Sequence, residues 1–126
     1  MNQKNKVLVI GESCTDIFIY GASNRKSPEG KVPVFVPCNE VYGAGMAANV
    51  ANNLGAMSVD VDMFSDNGNI IKTRYVDTDT NELYLRVDEN DYVERININD
   101  LPDLNQYSAI IISDYCKGFL TEEDIN

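Results

Sequence analysis

In this 126-residue chain the residues that suit chemistry are one aspartate, three basic side chains and one glycine-rich stretch. Asp16 follows the turn after Val7-Leu8-Val9-Ile10-Gly11. Open α/β sheets bind ligands beyond the carboxyl ends of such buried strands, which makes Asp16 a ligand-facing candidate. A solvated turn aspartate is the competing reading. Lys72 and Arg74 lie in the run Ile70 to Val76, and Arg86 lies in Glu82 to Asp88. If both runs are strands, alternation puts the three cations on one surface. Arginine forks pair bidentately with oxyanions, so that surface would hold a phosphate or carboxylate. Cross-strand pairing with Glu82, Asp88 or Glu89 is the plainer alternative, worth about a few tenths of a kcal/mol per pair.

The stretch Gly43-Ala44-Gly45-Met46-Ala47-Ala48-Asn49-Val50-Ala51-Asn52-Asn53-Leu54-Gly55 organises the rest. Its small residues allow a tight turn and close approach to a ligand. Ala47, Val50, Ala51 and Leu54 recur at helical spacing, and Gly55 is placed to stop the helix. Free amides at the start of such a helix favour anionic or hydroxyl-rich ligands. A helix packed closely on a sheet explains the same composition. Gly43 to Ala48 also fits G-x-G-x-x-A with Asp66 beyond it, but a dinucleotide fingerprint should directly follow the first buried strand, which ends at Gly11.

Composition narrows the chemistry. The net charge is −10, which argues against nucleic acid or an anionic membrane as partner. There is no histidine, and the cysteines (Cys14, Cys38, Cys116) form no CxxC pair, so a zinc site or a histidine-based triad is not expected. The cysteines read as reduced core residues of a cytoplasmic protein. The apolar run after Lys6 is too short for a signal peptide or a membrane span.

The elements that must position these residues follow from periodicity. Val7 to Ile10 and Ala109 to Ile112 read as strands buried on both faces of a parallel sheet. Lys31 to Pro37 is broken by prolines and belongs at a sheet edge or outside the main sheet. Ser58 to Phe64 alternates as a half-exposed strand. Asp66-Asn67-Gly68-Asn69 predicts a hairpin turn of type I′. Ile70 to Val76 and Glu82 to Asp88 read as neighbouring antiparallel strands with one apolar face. Glu94 to Ile98 reads as a short further strand. Asn99 or Asp100 would cap a brief helix through Asn105, and Thr121 would cap another.

Several motifs in register carry a family resemblance. Val9-Ile10-Gly11-Glu12 with Asp16 and Tyr20-Gly21, Ser27-Pro28-Glu29 with Val32-Pro33-Val34, and Gly45 to Ala51 are joined by Lys72-Thr73-Arg74, Leu85 to Asp88 and Ser113 to Gly118. Together they resemble the ribokinase-type (PfkB) carbohydrate kinases, closest to the heptose-7-phosphate kinase branch. The resemblance implies an α/β fold: a partial ribokinase-like sheet with helices and a small antiparallel β lid at about 17–37 and 70–98, all in one truncated domain spanning 1–126. It implies ATP-dependent phosphorylation of a sugar phosphate in the full-length family. Asp16 and Asn49 would then bind sugar hydroxyls, Gly45 would let the backbone approach, and Lys72, Arg74 and Arg86 would reach the sugar phosphate. The lid implies a homodimer.

The departures shape what is expected of this chain. Met46 stands where the branch has a second glycine. A four-residue turn at 66–69 replaces a longer family segment. The downstream GAGD motif, whose aspartate is the family's catalytic base, is absent, and so is the ATP pocket. A general base must lie within hydrogen-bonding reach of the hydroxyl it activates. The chain is therefore expected to hold no catalytic residue and no ATP or Mg²⁺ of its own. The alternative is a non-enzymatic, dimeric sugar-phosphate binding or interaction module.

Overall fold

Two sheets share one core. The computed structural model describes residues 5–126. In chain order the elements are β1 (Lys6–Gly11), β2 (Ser13–Lys26), β3 (Pro33–Met46), α1 (Ala47–Ala56), β4 (Asp60–Phe64), β5 (Ile70–Asp77), β6 (Leu83–Glu89), β7 (Ala109–Ser113) and α2 (Glu122–Ile125). The β-branched run of β1 becomes the middle of a three-stranded parallel sheet, ordered β4-β1-β7. A second sheet is ordered β3-β2-β5-β6, antiparallel except where β2 and β5 run parallel. The α/β class expected from the sequence is what folds.

Leu8 and Ile10 project to one side of β1 and cluster with Val93, Ile96, Tyr107 and Phe119. Val9, pointing the other way by alternation, is fully buried. Cys14, Met46 and Ile70 extend the same core into the second sheet. Each fully buried aliphatic side chain of this kind contributes about 1.5–3 kcal/mol.

Several expectations need correction. Gly43, Ala44 and Gly45 are not a turn; they lie inside β3, and the chain turns at Met46. This removes the dinucleotide reading, since the glycines lie within an antiparallel strand rather than directly after β1. β3 is an edge strand as the prolines required, with Pro37 beside the register shift at Tyr20/Gly21. Asp66–Asn69 does not close a hairpin: it carries the chain from β4 in one sheet to β5 in the other, and only Gly68 takes a positive φ. The strands expected over about 17–37 and 70–98 fall at Ser13–Lys26, Pro33–Met46, Ile70–Asp77 and Leu83–Glu89. Residues 94–98 are not a strand; Val93 and Ile96 instead donate to the carbonyls of Lys117 and Phe119. The helix expected near Asn99 is two short 3₁₀ turns, Ile98–Asp100 and Leu104–Gln106, capped by Asn97 and Asp103. β7 is an edge strand, with Ile110 and Ile112 exposed by 42% and 39%. Leu83, Leu85 and Val87 are exposed as well, so β6 has no covered apolar face. Cys14 is buried, but Cys38 and Cys116 are exposed.

α1 runs past Gly55 because the left-handed residue sits further on. Ser58 has φ 63°, its amide donates to Gly55 and that of Val59 to Leu54, a Schellman closure with serine where glycine is usual. Ser58→Gly is therefore expected to raise stability by about 0.5–1 kcal/mol in urea unfolding, because the left-handed conformation strains a residue with a Cβ.

Tyr107 caps the other side of the core. Its hydroxyl donates to Asp62 Oδ2 at 2.7 Å, and Lys6 Nζ lies 3.3 Å from the same oxygen. The Tyr107 hydroxyl is pushed up to about 12, chiefly by that hydrogen bond, while Asp62 is held below its ordinary value by the same bond. The folded tyrosine keeps its proton longer than the unfolded one. Its stabilising effect is thus full below the unfolded value near 10 and is lost as pH rises toward 12. Melting temperatures measured from pH 8 to 12 should fall across that window in the wild type, and Tyr107→Phe should flatten this part of the profile.

Candidate functional site

The charged face of the second sheet is set by register. Asp16 on β2 stands opposite Lys72 on β5, which stands opposite Asp88 on β6. One step along, Phe18 pairs with Arg74 and Arg74 with Arg86. Alternation places all six side chains on one side of the sheet. Arg74 NH1 donates to Asp16 Oδ1 at 2.9 Å, a half-buried ion pair across the strands. Arg86 holds Asp88 bidentately along its own strand, Nε to Oδ1 at 2.8 Å and NH2 to Oδ2 at 2.9 Å. That fork keeps Asp88 below the ordinary carboxylate range. Lys72 forms no ion pair among the described residues.

Gly45 borders this face. It pairs with Cys14, and a Cβ placed on it would collide with Cys14 Sγ and with the Asp16 carboxylate. Glycine there is a matter of clearance: a side chain would push Asp16 from Arg74. The Cys14 thiol is raised first by burial and then by the Asp16 charge. Its Sγ lies 3.8 Å from Asp16 Oδ1.

The turn from β3 into α1 is built on Glu12, a residue sequence reasoning passed over. Glu12 is fully buried directly after β1, and its carbonyl accepts from the amide of Ala47, the first residue of α1. Its carboxylate accepts from the amides of Tyr115 (2.7 Å), Lys117 (2.6 Å) and Phe119 (3.3 Å). Positive φ at Cys116 (58°) and Gly118 (100°) curls the loop so that alternate amides face the carboxylate. The Ser113–Gly118 motif is thus a wrap around one buried acid. The signal available beforehand was an acid set directly after an apolar strand.

Met46, between β3 and α1, has φ 58° and ψ −130° and is buried. Beside it lies a hollow of about 460 Å³ lined by Ser13, Cys14, Thr15, Gly43, Ala44 and Ala48 among others. Neither Asp16 nor Asn49 lines it. Asn49 is exposed in the first turn of α1, with no described contact to the charged face. The fold therefore gathers Asp16, Gly45, Lys72, Arg74 and Arg86, and leaves Asn49 apart. Asp66, after β4, fixes the far wall by accepting from the amides of Ser13 (2.8 Å) and Gly68 (2.9 Å).

No three His, Cys, Asp or Glu residues form a metal-binding group among the described residues. Asp16 and Asp88 are each already held by an arginine, so this donor set does not fit Mg²⁺. Among the described residues no helix is long and apolar enough to cross a membrane.

No family model matches the chain. Curated relatives do. The bifunctional protein HldE of Helicobacter pylori strain J99 is 32% identical over 152 residues, covering 94% of this chain and 33% of that protein. HldE of Hydrogenovibrio crunogenus is 29% identical, covering 93% of this chain and 31% of its own length. Over nearly its whole length the chain is similar to one part of these HldE proteins. It spans about a third of the length of these HldE relatives. Aligning 94% of 126 residues takes 152 positions, so the HldE protein carries residues within the matched region that this chain lacks. Among solved structures, a carbohydrate kinase from Agrobacterium tumefaciens overlays 68% of this chain and 35% of its own at TM-score 0.36 and 14% identity. A putative phosphofructokinase from Staphylococcus aureus overlays 75% and 36% at TM-score 0.41 and 12% identity.

Proposed function

We propose that the chain binds a sugar phosphate, heptose-like by its HldE kinship, on the face of Asp16, Lys72, Arg74 and Arg86, and that it does not itself transfer a phosphoryl group. The observation that carries this reading is the Asp16–Arg74 pair at 2.9 Å with Lys72 in register beside it and Gly45 leaving room for the Asp16 carboxylate. Asp16 offers a hydroxyl acceptor already oriented by Arg74, while Lys72 and the remaining guanidinium donors offer charge to a phosphate. Asn49, exposed on α1 and apart from this face, is not needed for the reading, and Asn49→Ala serves as its control. Asp16 is engaged by a cation and stands as a sugar ligand, not as a base. ATP and Mg²⁺ belong to the full-length family, and no step is assigned through them.

Calorimetry with hexose and heptose phosphates tests the binding, repeated on Asp16→Ala, Asn49→Ala and Lys72→Gln. Asp16→Ala and Lys72→Gln should each weaken a sugar phosphate by about tenfold, the worth of one charge-assisted contact. Unchanged affinity in both would overturn the assignment. A coupled ATPase assay with the same sugars should stay at background; turnover near about one per second would overturn the claim of no transfer.

A second reading, a dimeric interaction module, is favoured by the opposite face of the same sheet. Register puts Ile17, Tyr42, Thr73, Tyr75, Leu85 and Val87 there, and Tyr42 and Leu85 are exposed by 62% and 56%. Apolar patches of this kind mark association surfaces. Sedimentation showing a monomer at micromolar concentration would remove it.

A further inference from the structure

The arginine that holds Asp16 also stands over an aromatic ring. Arg74 Cζ lies 5.2 Å from the centroid of Phe18, within range for a cation–π contact. Phe18 and Tyr20 follow each other on the same side of β2, with ring centroids 6.4 Å apart and planes 17° from parallel. The two near-parallel rings make an apolar stretch two side chains long. A hollow of about 490 Å³ opens on it, lined by Phe18, Tyr20, Arg74, Val76, Asn81 and Leu83. Its floor is aromatic and aliphatic, and its charged wall is the guanidinium.

Arg74 is fixed from two sides, by the ion pair through NH1 and by the ring beneath it. Its other guanidinium nitrogens have no hydrogen-bond partner among the described residues. Free donors on an immobilised fork accept an oxyanion with little further loss of freedom. Beside them, a planar group can lie on Phe18 and Tyr20 and displace water from both.

We propose that this hollow is a binding subsite for an organic phosphate or carboxylate that carries a flat apolar face, its oxyanion on Arg74 and its flat face on Phe18 and Tyr20. It shares Arg74 with the sugar-phosphate reading but not the glycine-rich strand. The hollow would therefore accept a ligand with no hydroxyls at all.

The test uses phenyl phosphate, inorganic phosphate and phenol as probes on the full chain, by calorimetry and by amide and side-chain NMR shifts. Phenyl phosphate should bind at least about tenfold more tightly than inorganic phosphate, from aromatic stacking added to the same oxyanion contact. Its shifts should centre on Phe18, Tyr20, Val76 and Leu83. Phe18→Leu should erase the advantage of phenyl phosphate over inorganic phosphate, while inorganic phosphate weakens only as far as Arg74 loses the ring beneath it. Leu83→Glu, on the exposed rim, should weaken phenyl phosphate by charge repulsion and keeps the test decisive if Phe18→Leu fails to fold. Equal affinity for the two phosphates, an advantage that survives the variants, or shifts confined to residues 43–49 would each overturn the proposal. Phenyl phosphate binding without any sugar-phosphate binding would uphold the subsite and remove the sugar reading; the reverse result would remove the subsite alone.

Discussion

Glu12→Ala should lower the free energy of unfolding by about 3–6 kcal/mol. The carboxylate accepts three amides, and each buried donor left unpaired costs about 1–3 kcal/mol. Relief from burying a charge returns part of that sum and brings its upper end down to about 6 kcal/mol. Against a total of roughly 5–15 kcal/mol for a domain of this size, the variant stands at the edge of folding. Glu12→Gln is the gentler probe. It keeps the volume and one acceptor oxygen, but turns an NH₂ toward an amide that needs an acceptor, for a loss of about 1.5–3 kcal/mol. Urea midpoints read both. If both variants unfold within about 0.5 kcal/mol of wild type, the loop after β7 does not depend on this acid.

The second large effect is expected at Met46, and it inverts the usual order. Within a strand, glycine is ordinarily worse than alanine by about 0.5–1 kcal/mol. At φ 58° and ψ −130° a residue with a Cβ is strained by about 1–3 kcal/mol, and glycine is not. Met46→Ala should lose about 2–4 kcal/mol, since it empties a packed site and keeps the strain. Met46→Gly empties the same site but releases the backbone, and should be the more stable of the two by about 1–2 kcal/mol. Chemical denaturation of the pair decides it, and an alanine variant equal to or better than the glycine variant would refute the strain. The methionine is thus a compromise in which thioether packing offsets a conformation better suited to glycine.

How much of this was legible varied with how local the cause was. β1 and β5 were readable because β-branched runs and alternating charges announce themselves within a few residues. The shared side of Lys72, Arg74 and Arg86 followed from period-two alternation, and register confirms it. Whether those cations would be spent on neighbours was not readable: Arg74 meets Asp16 across 58 positions, while Arg86 meets Asp88 two residues away. The glycine stretch misled because glycines permit turns without requiring them, and the ladder with β2 holds Gly43 to Gly45 extended. Asn67-Gly68 misled likewise, since a hairpin needs paired flanking strands and β4 and β5 lie in different sheets. Glu12 was missed because its three partners lie more than a hundred residues downstream, where no local pattern points back to it.

The order of the strands has a consequence for how the chain acquires its shape during synthesis. β1 finds its last neighbour only in β7, where Val7 pairs with Ala109, and β2 finds β5 only after β3, α1 and β4 have been laid down. Little of either sheet can close by local zipping apart from the β2–β3 and β5–β6 hairpins. Loop closure over such distances is entropically costly, and topologies dominated by distant pairings fold slowly. A ribosome must release the chain through Ser113 before β1 has both neighbours, so that apolar strand waits exposed in the meantime.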